Sequence, residues 1–238
     1  MIVTIDGPAG SGKSTAARKL AAKLGIPYLD TGAMYRAVTL AALVDGIDLE
    51  DEDALTRLAA TLEYELDCRP THVCVMLRGQ DVTEEIRSMH VSDNTRFIAR
   101  SPGVRKLLVK KQRELGAKLG SMVTEGRDQG SVAFPKADCK FYLDASVDMR
   151  ANRRFHELLA EGETVTLDEV RQAVIDRDRN DSQRTVAPLV RPPDAIEIDT
   201  SNLPIHDVVE QIADHLERRG LYRKSAHGHA SEAVRHAP

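Results

Sequence analysis

The sequence predicts an α/β fold: a doubly wound, five-stranded parallel sheet with an inserted antiparallel β lobe and an arginine-rich lid. Three observations predict it. Short strand-like segments at residues 2–5, 27–29, 121–125, 140–143 and 196–198 alternate with stretches of helical periodicity, the pattern of parallel strands joined by helices. The first run feeds the glycine-rich stretch Gly7-Pro-Ala-Gly-Ser-Gly-Lys-Ser-Thr15, which opens directly onto a helical pattern. Between residues 64 and 77 the periodicity switches to alternation, so antiparallel structure interrupts the core.

In chain order, Ile2 to Ile5 is the first strand, and Ser14 to Leu24 carries Ala17, Leu20, Ala21 and Leu24 at helical spacing before Gly25 ends it. Pro27 to Leu29 leads into Asp30-Thr31-Gly32-Ala33-Met34-Tyr35-Arg36, from which a second helix runs on through Val38, Leu40, Ala41 and Val44. Thr31 and Arg36 thus fall at the carboxyl end of a strand, where open parallel sheets place their ligands. Asp51 to Thr61 reads as a helix. Tyr64 and Leu66, then Val73, Val75 and Leu77, alternate about two turns and define an insert near residues 62–90. Val91 to Ile98 is a weak helical pattern. Ser101-Pro102 supplies the cap and first-turn proline of a stronger one, whose basic residues, Arg105 among them, read by default as a solvated face.

Ser121 to Glu125 ends in Gly126-Arg127-Asp128, and Lys140 to Leu143 precedes a helix with Arg150, Arg153 and Arg154 on one side. Thr166-Leu-Asp-Glu169 is a capping box that starts a helix running toward Arg177, Asp181 and Arg184. Ile205, Val208, Val209, Ile212 and Leu216 give a closing amphipathic helix. One domain over residues 1–220 is expected: a core of 1–30, 121–149 and 185–220, a region at 31–120 holding the insert, and a lid at about 150–184. Residues 221–238 lack periodicity and are expected to be disordered, with His227, His229 and His236 read as solvated.

Composition excludes several classes. At 238 residues, with 33 basic and 37 acidic side chains and a net charge of −4, the chain has no global electrostatic footprint for nucleic acid. Aromatic residues are scarce and tryptophan is absent, so a platform for stacking single strands is missing. No signal peptide or membrane span is visible, and a cytoplasmic location is expected. Cys68, Cys74 and Cys139 are odd in number and irregularly spaced, which points to reduced thiols; Cys68, His72 and Cys74 lack the paired spacing of a metal site.

Gly7, Gly12, Lys13 and Ser14 satisfy the phosphate-binding loop pattern. Glycines let backbone N–H groups turn inward to phosphate oxygens, Lys13 reaches the β and γ phosphates, and the Ser14 hydroxyl is offered to Mg²⁺ arriving with ATP. Gly7, Pro8, Ala9, Gly10, Ser11, Gly12, Lys13, Ser14 and Thr15 are accordingly the nucleotide-binding residues. The loop alone indicates a nucleotide and little more. Arg36, Arg105, Arg127, Arg153, Arg154, Arg177 and Arg184 lie on elements that such a core brings to one crevice. Phosphoryl transfer between two anions requires cationic clamps of this kind, and no base is needed when the acceptor is a phosphate. Arg150, Arg171 and Arg179 read equally well as surface arginines.

The segments GPAGSGKST, LDTGAMYR, EGRDQGSVAFP, FYLDAS, RANRR and RDRNDSQRTVAPL, in that order around an antiparallel insert, make the chain resemble bacterial cytidylate kinases of the long, insert-bearing type, nucleoside monophosphate kinases with the P-loop fold. The resemblance covers residues 1 to about 219. It implies transfer of the γ-phosphoryl of ATP to CMP or dCMP with Mg²⁺. It also places Thr31 near the cytosine amino group, Arg105 and Asp128 at base-reading positions, Arg36, Arg127 and Arg184 at the acceptor phosphate, and Arg177 and Asp181 near the ribose. Glu125 matches an acidic position that orders Mg²⁺ waters beside Ser14, and Arg153 and Arg154 resemble lid arginines, so that Lys13, Arg127, Arg153, Arg154 and Arg184 form the expected catalytic set. A carboxylate beside an arginine complements the N4 donor and N3 acceptor of cytosine, whereas uracil inverts both. Arg96 and Gln129 depart from the family pattern and bear on base selectivity. Another small-molecule P-loop kinase, a nucleotide-dependent switch or ATPase, and an inactive homologue are the competing readings. The expected partners are the small molecules alone, with no nucleic acid and no membrane, and a monomer is expected.

Overall fold

A computed structural model describes residues 1–160 and 162–223. The opening apolar run forms β1 (Ile2–Asp6), with Val3 and Ile5 fully buried, and the glycine-rich turn passes into α1 (Lys13–Leu24). Next come β2 (Tyr28–Asp30) and α2 (Thr31–Val44), started by the Asp30 side chain accepting from the Ala33 N–H. Asp51 caps α3 (Glu52–Thr61) in the same way. The insert follows as β3 (Tyr64–Cys68), β4 (Val73–Leu77) and the two-residue β5 (Gln80–Asp81), then a 3₁₀ turn at Glu85–Arg87. Ser88 caps α4 (Met89–Arg100), and Ser101 with first-turn Pro102 starts α5 (Pro102–Leu119). After β6 (Met122–Gly126) the chain makes a π-helical turn, Gln129–Ala133, before β7 (Cys139–Asp144), α6 (Val147–Ala160), α7 (Leu167–Ser182), β8 (Ile196–Asp199) and α8 (Ile205–Arg218).

The five expected core strands form one parallel sheet in the order β2-β6-β1-β7-β8. Parallel neighbours require crossovers, so every strand-to-strand passage carries a helix over the sheet or a longer excursion. α8 buries Val208, Val209, Ile212, Ala213 and Leu216 and lies against α1. The register sets the site. Asp30 and Ile5 each face Glu125, and Asp6 faces both Gly126 and Tyr142, so Asp30 and Glu125 stand side by side on one face of the sheet at the carboxyl ends of β2 and β6, while Asp6, one residue past Ile5, ends β1 on the other face.

In the insert, inward Tyr64, Val73, Val75 and Leu77 alternate with more exposed neighbours, and they join the same apolar cluster as Val3 and Ile5. The Tyr28 N–H donates to the Arg69 carbonyl at 3.2 Å, tying the insert to β2. Cys68 opposes Val73 and points inward with it, while Cys74, next along the strand, leaves the other face; the two thiols do not converge. At the far end, Leu221 and Tyr222 pack partly buried against the core, whereas residues 224–238 of the expected tail, with its three histidines, lie outside the described residues.

Candidate active site

The loop after β1 is built by close approach. Gly7 has φ +148°, and a Cβ there would stand 2.0 Å from the Leu143 carbonyl oxygen, so only glycine lets the loop start against β7. At Gly10, φ +76°, a Cβ would meet the Cβ of Arg150 at 3.0 Å. Lys13, buried at the start of α1, bends its ammonium back to the Pro8 carbonyl at 2.6 Å. Burial, with the nearby Arg127 charge, pushes its pKa well below the usual lysine range.

Beneath the loop, the Ser14 hydroxyl donates to Glu125 at 2.8 Å, and the Tyr28 hydroxyl approaches the same carboxylate oxygen at 3.5 Å. Burial and the Asp30 charge raise the Glu125 pKa. A hydroxyl and a buried carboxylate on one spot form the oxygen donor set that a hard divalent cation takes, so Ser14 and Glu125 fit Mg²⁺. The Thr31 hydroxyl donates to the Glu125 carbonyl at 2.7 Å, which anchors the start of α2 to β6.

Asp30 caps α2 and also accepts from Arg36 at 2.9 Å and from Arg87 of the insert at 3.3 Å. Burial alone would raise it; the two guanidiniums and the Ala33 N–H outweigh this and hold it below the usual carboxylate value. Arg105 and Asp128 form a buried ion pair, each almost wholly sealed from solvent, with the guanidinium 5.6 Å from the Tyr35 ring centroid. Arg105 also donates to the Ala99 carbonyl at 3.1 Å, yet its Nε and the Tyr35 hydroxyl are buried with no hydrogen-bond partner among the described residues.

Asp181 draws Arg127 and Arg184 together, accepting from Arg127 Nε at 2.8 Å and pairing with Arg184. Arg177 faces the open cleft, where solvent reaches it; the surrounding protein still desolvates it in part, and with Arg127, Arg36 and Arg154 it is lowered to about 10. Arg184 is lowered to about 10 by burial and by Arg105 and Arg127. Four cations thus crowd the cleft beside Lys13, a field that favours an anion of several charges. Arg153 donates to the Gly10 carbonyl at 3.3 Å and to the Thr200 hydroxyl at 3.2 Å, and Arg154 pairs with Glu157 at 3.2 Å on its own helix.

Two expectations are corrected. Arg150 is no surface arginine: it is 4% exposed, clamps Asp178 through two bonds of 2.9 and 2.6 Å, and donates to the Ala9 carbonyl at 3.2 Å. Arg105, on the face of α5 that read as solvated, points inward because Asp128 supplies its counter-charge. Gln129 lies inside the core, accepting from the Thr124 hydroxyl at 3.1 Å and donating to Gln112 at 3.3 Å. Arg96 is exposed and lies over the Phe97 ring at 4.8 Å.

Asp6, Asp30, Arg87 and Asp178 escaped the sequence reading. Asp6 is buried at the end of β1 and accepts the Gln129 and Gly130 N–H groups at 2.9 and 2.7 Å. Burial raises its pKa to about 6, against the pull of those donors. Only Asp30, three residues before Ala33 at a helix start, carried a readable signal.

A parallel sheet with a phosphate cradle after its central strand and a cationic cleft beside it defines a P-loop kinase. The chain belongs to the cytidylate kinase family, whose model matches residues 3–218. It is 47% identical over 216 residues to a cytidylate kinase from Bacillus pumilus, covering 91% of this chain and 96% of that protein. It is also 46% identical over 228 residues to a bifunctional pantoate ligase/cytidylate kinase from Synechococcus, covering 94% of this chain. The chain spans only 42% of that longer relative and 39% of a second of the same kind. In fold alone it resembles an uncharacterized protein from Eubacterium ventriosum, with a TM-score of 0.50 at 13% identity, covering 91% of this chain and 98% of that one. Among the described residues no helix is long and apolar enough to cross a membrane.

Proposed function

We propose that the protein transfers the γ-phosphoryl of ATP to the phosphate of CMP or dCMP, giving ADP and CDP or dCDP. The observation that carries this reading is the buried Arg105–Asp128 pair, with Arg36, Arg127, Arg177 and Arg184 grouped about the cleft that the phosphate loop opens onto. A nucleotide with an amino donor and a ring-nitrogen acceptor satisfies that pair. Uracil would set an acceptor against the carboxylate and a donor against the guanidinium, and that mismatch is what gives discrimination.

In this reading residues 7–15 hold the ATP phosphates, and Lys13 exchanges the Pro8 carbonyl for β and γ oxygens. Ser14 and Glu125 hold Mg²⁺, which when bound draws charge from the transferring phosphates. Arg36, Arg127 and Arg184 orient the acceptor phosphate, Arg177 and Asp181 meet the ribose, and Thr31 lies near the amino end of the base. The acceptor oxygen needs no deprotonation. One P–O bond forms to it as the bond to the ADP oxygen breaks, and the arginines stabilise the charge spread over the migrating group. We read α6 and α7 as the lid, with Arg153 and Arg154 turning toward the phosphoryl on closure, and the chain as a cytoplasmic monomer acting on small molecules.

The test is initial ADP formation from Mg·ATP with CMP, dCMP, UMP, AMP and no acceptor side by side. Dependence on CMP and dCMP with negligible acceptor-free hydrolysis is expected. Hydrolysis without acceptor, or preference for another nucleotide, would overturn the reading.

A further inference from the structure

The turn that carries Asp128 has an unusual start. Asp128 is the residue flanking the π-helical turn Gln129–Ala133 at its amino end, yet its side chain makes no capping hydrogen bond there. Aspartate at such a position ordinarily folds back onto the first free N–H groups. Here those donors are already taken. The Asp6 carboxylate, reaching across from the end of β1, accepts the Gln129 N–H on one oxygen and the Gly130 N–H on the other, at 2.9 and 2.7 Å. Asp128, relieved of that role, turns to Arg105 instead.

We propose that Asp6 is a positioning residue for base recognition: it caps the Asp128 turn from the neighbouring strand and so keeps the Asp128 carboxylate available to Arg105 and the cytosine. This rests on the reading of Asp128 as the base-contacting carboxylate. An apolar residue at position 6 would leave two buried N–H groups in need of an acceptor, and Asp128 is the nearest carboxylate by sequence able to fold onto them. Asparagine keeps one acceptor oxygen and restores one bond. Asp6 also immediately precedes Gly7, so the residue that holds the base-reading turn is continuous with the phosphate loop.

The experiment compares wild type, Asp6→Asn, Asp6→Ala and Asp128→Asn for kcat and KM with CMP, UMP and ATP, with circular dichroism to verify the fold. The expected result is a CMP to UMP ratio of kcat/KM narrowed about tenfold in Asp6→Ala and less in Asp6→Asn, through a raised KM for CMP, with the KM for ATP held within about twofold. Should Asp6→Ala fail to fold, Asp6→Asn decides by the same ratio. An unchanged ratio in a folded Asp6 variant, or parallel losses for CMP and ATP, overturns the proposal while leaving the kinase reading intact if Asp128→Asn still narrows the ratio. If wild type shows no CMP preference, or Asp128→Asn leaves the ratio unchanged, the assignment of Asp128 fails and the proposal with it.

Discussion

Lys13 and Asp6 hold charge in opposite discomfort, and each makes a measurable demand. The depressed pKa of Lys13 reflects burial of its ammonium, with the Arg127 and Arg177 charges nearby. Supplying the triphosphate should raise that pKa, so at a pH between the free and the bound value ATP binding is expected to take up protons, seen as a calorimetric enthalpy that varies with buffer ionisation heat. Lys13→Ala should lower kcat by about a thousandfold, as removal of a donor aimed at developing charge does, and near-normal turnover would remove it from the chemistry. Asp6 titrates the other way. Its folded pKa of about 6 lies above the ordinary 3.8, so between those values the folded state binds the proton more tightly and stability falls as pH rises. The shift of about two pKa units corresponds to about 3 kcal/mol at most. Asp6→Asn should therefore flatten the fall in unfolding free energy between about pH 4 and 6, measured by urea titration. An identical slope in the two proteins would show that burial is not what raises this carboxyl.

The elements differ in how plainly the sequence announced them, for reasons of local chemistry. Helix starts at Ser101 and Thr166 were legible because their caps are local. Thr166 accepts from the Glu169 N–H at 3.3 Å while Glu169 accepts from the Thr166 N–H at 2.8 Å, the reciprocal pair the spacing foretold. The buried strands were legible because strand-like segments alternate with stretches of helical periodicity. The π-helical turn was not: its first two N–H groups are satisfied by Asp6, more than a hundred residues away in the chain, and no local pattern records that. Arg150 was misread for the same reason, since Asp178, its counter-charge, comes from another helix. Thr166→Ala should fray the first turn of α7 at a cost of about 1 kcal/mol. Hydrogen exchange should rise near Glu169 while amides near Asp181 keep their protection. Uniformly faster exchange along α7 would mean that the cap governs the whole helix.

At the scale of the molecule, the sheet register explains why the site reads as clusters in the sequence yet acts as one field. Ladder pairing sets Asp30 beside Glu125, and around them Arg36 of α2 and Arg87 of the insert pair with Asp30, Arg105 of α5 with Asp128, and Arg127 of the turn after β6 with Asp181 of α7. Motifs located the cations; only the fold assigns each its carboxylate. Asp30 holds two guanidiniums and Asp181 another two, so an arriving phosphate competes for charges already engaged. CMP should therefore bind with an affinity that weakens as salt rises, and at one hundred times its Kd it should add about 2.7 kcal/mol to stability, seen as a raised Tm. A Tm indifferent to CMP at such excess would mean that the cleft takes another ligand. The buried Arg150 brings a mechanical consequence. Because one guanidinium is bolted to Asp178 of α7 and to the Ala9 carbonyl, the near ends of α6 and α7 share a fixed bearing on the phosphate loop. In the proposed reading of these helices as a lid, closure is then expected to be a lever motion about that bearing, with its travel greatest at the turn joining α6 to α7 and smallest over the phosphate loop.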